Sequence, residues 1–144
     1  MIDNRTACVR TNHENYVELY YTELSRKAMD ELVAHLIDLV SEANANAPEP
    51  LYLFINSSGI KDSPPMTYLM RQMQSRRQDL LLKTTVYGAL TFNDTMIGSF
   101  TKSMVSLLRL GSVVMQGFSV TEVEEARHWL EMKIAENATE QSMD

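Results

Sequence analysis

The segment Leu51–Met70, "LYLFINSSGIKDSPPMTYLM", is the clearest indication of the fold, because its pattern is typical of an apolar strand joined to a helix through small polar residues. Its first five residues form a continuous apolar run between a proline-rich stretch and Asn56. A run of this kind is typical of a central strand that is covered on both faces. Asp62 or Ser63 is expected to cap the following helix, and the next two prolines suit its first turn, where a missing N–H costs nothing. The segment therefore predicts a strand, a short polar loop and a helix.

The rest of the chain continues this alternation of strands and helices. The run "YVELYYTEL" alternates apolar and polar residues, which predicts a strand with one covered face, and "ACVRTNH" before it predicts a hairpin partner. Later strands are predicted at "KTTVYGAL" and "SVVMQGF". Further helices are predicted after Ser25, which is expected to cap the first of them, and after Asn93 or Asp94. The last helix is predicted after Thr121, which forms a T-x-x-E capping box with Glu124.

The resulting element order is ββαβαβαβα, which predicts a single α/β domain. We expect a mostly parallel sheet of four to five strands with helices on both faces. Right-handed crossovers would put the carboxyl ends of the parallel strands on one side of the sheet. The domain is predicted to cover residues 1–137, and residues 138–144 are predicted to form a frayed tail.

Composition narrows the classes of function. The 144 residues are 44% hydrophobic and carry a formal charge of −6, which disfavours a nonspecific nucleic-acid binder. Cys8 is the single cysteine, so an intramolecular disulfide is excluded and a reducing compartment fits. The sequence contains no apolar run long enough to span a bilayer, and "MIDNRTACVR" does not resemble a signal peptide. The simplest expectation is a cytoplasmic protein without a transmembrane segment.

Polar and small residues follow three predicted strands at their carboxyl ends. Ligands in open α/β sheets bind outside those ends, and nearby helix N-termini favour anions. Turns and helix caps require the same residue types, so a purely structural role remains the alternative. The candidate ligand-binding residues are Asn56, Ser57, Ser58, Gly59, Asp62, Ser63, Thr91, Asn93 and Gln116.

Catalysis is not expected from these residues. A serine nucleophile needs an adjacent base, and the sequence places His13 in a hairpin turn, with His35 and His128 within helices. The sequence contains no paired His or Cys spacing typical of a metal site, and no G-x-x-x-x-G-K-[ST] or G-x-G-x-x-G motif. We therefore expect no metal, no cofactor and no enzymatic activity.

The element order resembles that of the STAS domain, the fold of anti-sigma-factor antagonists and of the cytoplasmic ends of sulfate transporters. The segment Leu51–Met70 resembles that family's strand, loop, Asp-Ser-Ser-Gly and helix, with Asp62 and Ser63 on the first two positions. Pro64 and Pro65 replace the second serine and the glycine. The second serine is usually the phosphorylated one in that family, so Ser63 is the candidate for phosphorylation here. The ending "FSVTEVEEARHWL" is similar to the branch related to the sporulation antagonist, which is linked to apolar ligands and membrane association.

The STAS resemblance implies a noncatalytic regulatory or binding module. Such a module would engage a protein partner, or a small apolar or anionic ligand, at the carboxyl ends of the strands. Arg71, Arg76 and Arg77 form the densest basic cluster, which fits either a solvated helix face or a contact for an acidic partner.

A second resemblance is to the ClpP/crotonase fold. The run "LYLFINSSG" is similar to the strand and turn that build the oxyanion hole of that family. Ile60 replaces its second glycine, and Phe92 falls on the position of its nucleophilic serine. This resemblance implies a degenerate, inactive hydrolase.

The sequence also suggests how copies of the chain associate. The predicted hairpin supplies a sheet edge, and Tyr20 is an aromatic residue among polar neighbours. Symmetric dimers are the commonest soluble assembly. We therefore predict a homodimer through this hairpin or an adjacent helix face. A monomer with a methionine-rich surface for another protein is the alternative.

Overall fold

The computed structural model describes residues 6–23, 25–57, 66–92 and 113–142. This part of the chain contains one sheet, three α-helices and a 3₁₀ turn at Arg77–Leu80. The strands are β1 (Cys8–Asn12), β2 (Val17–Tyr21), β3 (Leu51–Asn56), β4 (Val86–Phe92) and β5 (Val113–Ser119). The helices are α1 (Arg26–Ala45), α2 (Met66–Ser75) and α3 (Val123–Ser142), and α3 thus continues beyond residue 137. The helix predicted after Asn93 or Asp94 lies outside the described residues.

The sheet has five strands in the order β1-β2-β3-β4-β5, which follows the order of the chain. Strands β1 and β2 form an antiparallel hairpin, in which Arg10 lies opposite Leu19. The pairs β2–β3, β3–β4 and β4–β5 are parallel. The prediction of a single α/β domain with a mostly parallel sheet is therefore confirmed.

Two apolar clusters lie on opposite faces of the sheet. The larger cluster joins residues of α1 and α2, such as Met29 and Met73, to Leu53 of β3. The smaller cluster joins Phe54, the neighbour of Leu53 along the strand, to Leu130 of α3. Right-handed crossovers that move across a sheet in one direction place their helices on the same face. Helix α3 follows the last strand and covers the opposite face.

The helix boundaries have local causes. The Ser25 side chain accepts a hydrogen bond from the Ala28 backbone N–H at 3.1 Å, which confirms the predicted cap of α1. At the start of α3, the Ala126 N–H donates to the Glu122 carbonyl at 3.0 Å. The Glu122 carboxylate accepts from the Ser119 N–H at 2.9 Å. The cap of α3 therefore involves Ser119 and Glu122, upstream of the predicted box of Thr121 and Glu124.

Candidate functional site

Glu18 is a buried carboxylate on the face of the sheet that α3 covers. Its side chain is 9% exposed, although it belongs to the second strand of a hairpin. Its Oε2 accepts a hydrogen bond from Asn56 Nδ2 at 2.9 Å, and its Oε1 lies 2.9 Å from His13 Nε2. Arg127 Nη2 lies 3.4 Å from Oε1. A carboxylate in this position is stabilised only because donors surround it.

Asn56 and Thr91 extend this cluster toward the carboxyl ends of β3 and β4. These two residues lie opposite each other in the parallel ladder, and both are almost completely buried. The Thr91 hydroxyl donates to Asn56 Oδ1 at 3.3 Å and accepts from the Ser57 backbone N–H at 3.0 Å. The chain of bonds thus runs from the Ser57 N–H through Thr91 and Asn56 to Glu18. Because these buried polar groups are hydrogen-bonded to one another, they stabilise a single arrangement of the ends of β3 and β4.

His13 and Arg127 form the partly exposed rim of the cluster. Their side chains are 33% and 34% exposed. The His13 ring stacks on Tyr16 with centroids 4.5 Å apart, and the Arg127 guanidinium lies 5.7 Å from the centre of the Phe54 ring. Burial raises the pKa of the Tyr16 hydroxyl, while the charge of Arg127 acts to lower it. Arg127 Nε is buried and makes no hydrogen bond among the described residues.

The structure brings together three of the predicted ligand-binding residues, Asn56, Ser57 and Thr91. Thr91 lies within β4, because this strand extends past the predicted run "KTTVYGAL". Gln116 lies within β5, inside the predicted run "SVVMQGF" and not in a loop after it. Gln116 is exposed and lies opposite Ala89 in the ladder, two pairs before the pair of Thr91 with Phe118. The remaining candidates are Ser58, Gly59, Asp62, Ser63 and Asn93, which fall outside the described residues.

Sequence reasoning missed Glu18, His13 and Arg127 as members of this cluster. The alternation of β2 indicated that Glu18 faces solvent, and His13 was expected to be remote from the strand ends. The hairpin turn instead places His13 against Glu18, whose other oxygen contacts Asn56. The sequence shows that Glu18, His13 and Asn56 have complementary hydrogen-bond donors and acceptors. It does not show that these residues lie close together in the fold.

The cluster does not have the geometry of a nucleophilic site. The Ser57 hydroxyl is buried and has no hydrogen-bond partner in the described part of the chain, so no base activates it there. His13 Nε2 lies 2.9 Å from a Glu18 oxygen, so this nitrogen is paired with a carboxylate and not with a serine hydroxyl. Among the described residues, no group of three or more His, Cys, Asp or Glu side chains is placed to hold a metal ion.

A second concave feature lies at the opposite, amino-terminal ends of β2 and β3. It is a cleft of about 170 Å³, with Val17, Leu39 and Leu51 among its lining residues. Arg10 and Glu42 on its wall form two hydrogen bonds of 2.7 and 2.9 Å. This pairing raises the pKa of Arg10 and lowers that of Glu42. Because Arg10 and Glu42 are bonded to each other, neither charge is available to bind a ligand in the cleft unless this pair opens.

Comparison of the chain with family models, with curated proteins and with solved structures gave no match. In the part of the chain that the structure describes, no helix has the combination of length and apolar character needed to cross a membrane.

Proposed function

We propose that this protein is a noncatalytic STAS-like regulatory or binding module. It engages a protein partner, or a small apolar or anionic ligand, at the carboxyl ends of its strands. The single observation that supports this proposal best is the hydrogen-bonded chain from Glu18 through Asn56 and Thr91 to the Ser57 N–H. These groups are bonded to one another, whereas an enzyme holds such groups ready for a substrate.

The noncatalytic part of the proposal rests on the burial and pairing of the strand-end residues. Asn56 is 3% exposed, Ser57 is 4% exposed and Thr91 is fully buried. A serine nucleophile needs a base within hydrogen-bond reach, and the Ser57 hydroxyl makes no such bond among the described residues. The His13 ring is held by Glu18 and Tyr16 instead.

The STAS-like part of the proposal is supported by the arrangement of the first strands. An antiparallel hairpin opens the sheet, and parallel strands follow in chain order, with α1 and α2 in the connections between β2 and β4. The resemblance of the segment Leu51–Met70 adds to this support. Phosphorylation of Ser63 is part of the same proposal, since the residue stands beside Asp62 at the predicted start of α2.

NMR titration tests the ligand-binding part of the proposal. Uniformly ¹⁵N-labelled protein is titrated separately with dodecanoate, which is apolar with an anionic head, and with inorganic phosphate. We expect saturable shifts of the Ser57 and Thr91 amides and of the Asn56 side-chain amide with at least one probe, because these groups lie at the strand ends. The Thr11 amide, on the exposed side of the hairpin, is the internal control. Saturable shifts confined to other parts of the chain would place the ligand elsewhere and refute this site.

A measurement of mass tests the homodimer that forms part of the proposal. Tyr20 is half-buried on the hairpin and lies opposite Val9. Light scattering at micromolar concentration should give twice the chain mass, and Tyr20→Glu should reduce it to one chain. A monomeric mass that Tyr20→Glu leaves unchanged would refute the homodimer and leave a different protein as the partner.

A further inference from the structure

The two edges of the sheet differ in how they are protected. Strand β1 forms one edge and β5 forms the other, and no described strand pairs with the outer side of either. Exposed edges invite pairing with another chain, and natural proteins block them with charges, prolines or covering elements. Which edge is blocked therefore indicates where an extended segment can bind.

The start of β1 is blocked by side chains of α1. The Glu31 carboxylate accepts hydrogen bonds from the backbone N–H groups of Ala7 and Cys8, at 3.0 and 3.3 Å. His35 Nε2 lies 2.8 Å from the carbonyl oxygen of Cys8, so this nitrogen donates. The two side chains thus provide Cys8 with the acceptor and the donor that an added strand would supply. Arg10 adds a charge further along the same strand.

Among the described residues, the edge strand β5 carries none of these protections. Residues 110–121 contain no charged residue and no proline. Val114 is 38% exposed and Gln116 is exposed, so the strand is open on the face that α3 only partly covers. In the described part of the chain, the one backbone bond that joins β5 to residues outside the ladder is at its end, from the Glu122 N–H to the Ser119 carbonyl.

An apolar shelf adjoins this edge on the side of α3. The Phe118 and Trp129 rings meet edge to face, with their centres 6.4 Å apart, and both side chains are only half-buried. Met132 lies three residues after Trp129, on a neighbouring position of the helix surface, and is 43% exposed. Val114 and Met132 are the large apolar residues that are exposed in the described part of the chain. Aromatic and methionine side chains are enriched at protein interfaces.

The charge beside the edge is negative. Helix α3 carries five glutamates against Arg127 and Lys133. Lys133 lies 5.8 Å from the centre of the Trp129 ring, and the Glu136 carboxylate lies 3.4 Å from its ammonium group. Glu122 caps the end of β5. A second copy of this acidic helix would be repelled, whereas a basic segment would be attracted.

We propose that the outer edge of β5 binds an extended, basic segment of a partner protein by strand addition. Main-chain hydrogen bonds supply affinity, and apolar residues at alternate positions of the segment contact Val114 and the Phe118–Trp129 shelf. The lysines or arginines at the intervening positions give the segment the positive charge that α3 attracts. This inference rests on the proposed function in one respect, namely that the module binds a protein partner.

The test uses the full chain and three fluorescein-labelled peptides, measured by fluorescence anisotropy. The first alternates lysine and valine over seven residues, the second has glutamate in place of lysine, and the third repeats the first with alternate backbone amides N-methylated. We expect the lysine peptide to bind, and the other two to bind at least about tenfold more weakly. N-methylation keeps the side chains and removes donors, so it separates strand addition from charge attraction alone.

Matched variants locate the binding. Val114→Lys should weaken binding of the lysine peptide about tenfold, whereas Val114→Glu, which removes the same apolar group, should retain it within about threefold. Gln116→Lys repeats the test at a second exposed position. Thr11→Lys places the same charge on the blocked edge and should change nothing. Circular dichroism confirms that each variant is folded.

Besides a lack of binding by the lysine peptide, three results would overturn the inference. The first is equal binding of the N-methylated peptide, and the second is an equal loss with Thr11→Lys and Val114→Lys. The third is a doubled mass of the protein alone that Val114→Lys abolishes, because a second copy would then occupy the edge. Absence of peptide binding in a chain that also lacks catalytic activity refutes this inference and leaves the proposed function standing. Peptide binding by a chain that hydrolyses esters would support this inference and refute the noncatalytic proposed function.

Discussion

Replacement of Glu18 by alanine should destabilise the fold more than any other removal of a single carboxylate in the hairpin. The substitution removes the acceptor of Asn56 Nδ2, and Asn56 is 3% exposed. A buried polar group that loses its partner costs about 1–3 kcal/mol. His13 and Arg127 also lose their carboxylate, but each is about one-third exposed, so water replaces most of that interaction and each adds only ~0–1 kcal/mol. The expected loss is about 1–5 kcal/mol, a large fraction of the stability of a small domain.

Urea denaturation measures this loss, with the fluorescence of Trp129, the one tryptophan of the chain, as the signal. Glu14→Ala, in the exposed turn of the same hairpin, is the matched control and should cost less than about 0.5 kcal/mol. Glu18→Gln keeps the shape and one acceptor oxygen, so its free energy of unfolding should lie between those of the other two variants. If Glu18→Ala were as stable as Glu14→Ala, the carboxylate would not hold the strand ends together, and the described cluster would have no energetic role.

Three further predictions follow from individual contacts. Ser25→Ala should lower the free energy of unfolding by about 0.5–2 kcal/mol because α1 loses its cap, whereas Ser25→Gly should cost only a few tenths, as measured by urea denaturation. Burial raises the pKa of the Cys8 thiol to about 12, so Ellman's reagent at pH 8 should detect no thiol in the native protein and one in urea; rapid native labelling would contradict the burial. Pairing with Arg10 lowers the pKa of Glu42 in the folded state. The pair therefore stabilises the folded protein at pH values above the pKa that Glu42 has in the unfolded chain. This stabilisation is lost as the pH falls through the lower pKa of the folded state. Glu42→Gln should therefore be less stable than wild type by about 0.2–1 kcal/mol at pH 7. The gap should close as the pH falls through the lowered pKa of Glu42, and a gap independent of pH would refute the pairing.

The local features of the fold could be predicted from the sequence because they depend on neighbouring residues. The alternation in β2, the apolar run of β3 and the Ser25 cap each involve only a few consecutive positions. The ends of β4 and β5 could not be predicted in the same way. Thr91 belongs to β4 because hydrogen bonds from the neighbouring strands extend the ladder past the small residues at its predicted end.

The polar cluster could be predicted only in part, for the same physical reason. Asn56, Ser57 and Thr91 follow from the rule that the ends of parallel strands meet on one side. Glu18 was predicted to face solvent because the alternation within β2 does not show that another element covers the second face of the sheet. Its partner Arg127 is separated from it by 109 residues and arrives only because α3 folds back over the sheet. Such a contact results from tertiary packing, and the periodicity of apolar residues along the sequence does not predict it.

A noncatalytic module has no serine at its strand ends that acts as a nucleophile, and covalent labelling tests this directly. The native protein is incubated with a fluorophosphonate probe, and intact mass followed by peptide mapping reports any adduct. We predict an unmodified chain, because the Ser57 hydroxyl makes no hydrogen bond to a base among the described residues and His13 is held by Glu18. A stoichiometric adduct on Ser57, Ser58 or Ser63 that is lost on denaturation before labelling would contradict the noncatalytic account and favour a hydrolase of the ClpP/crotonase type.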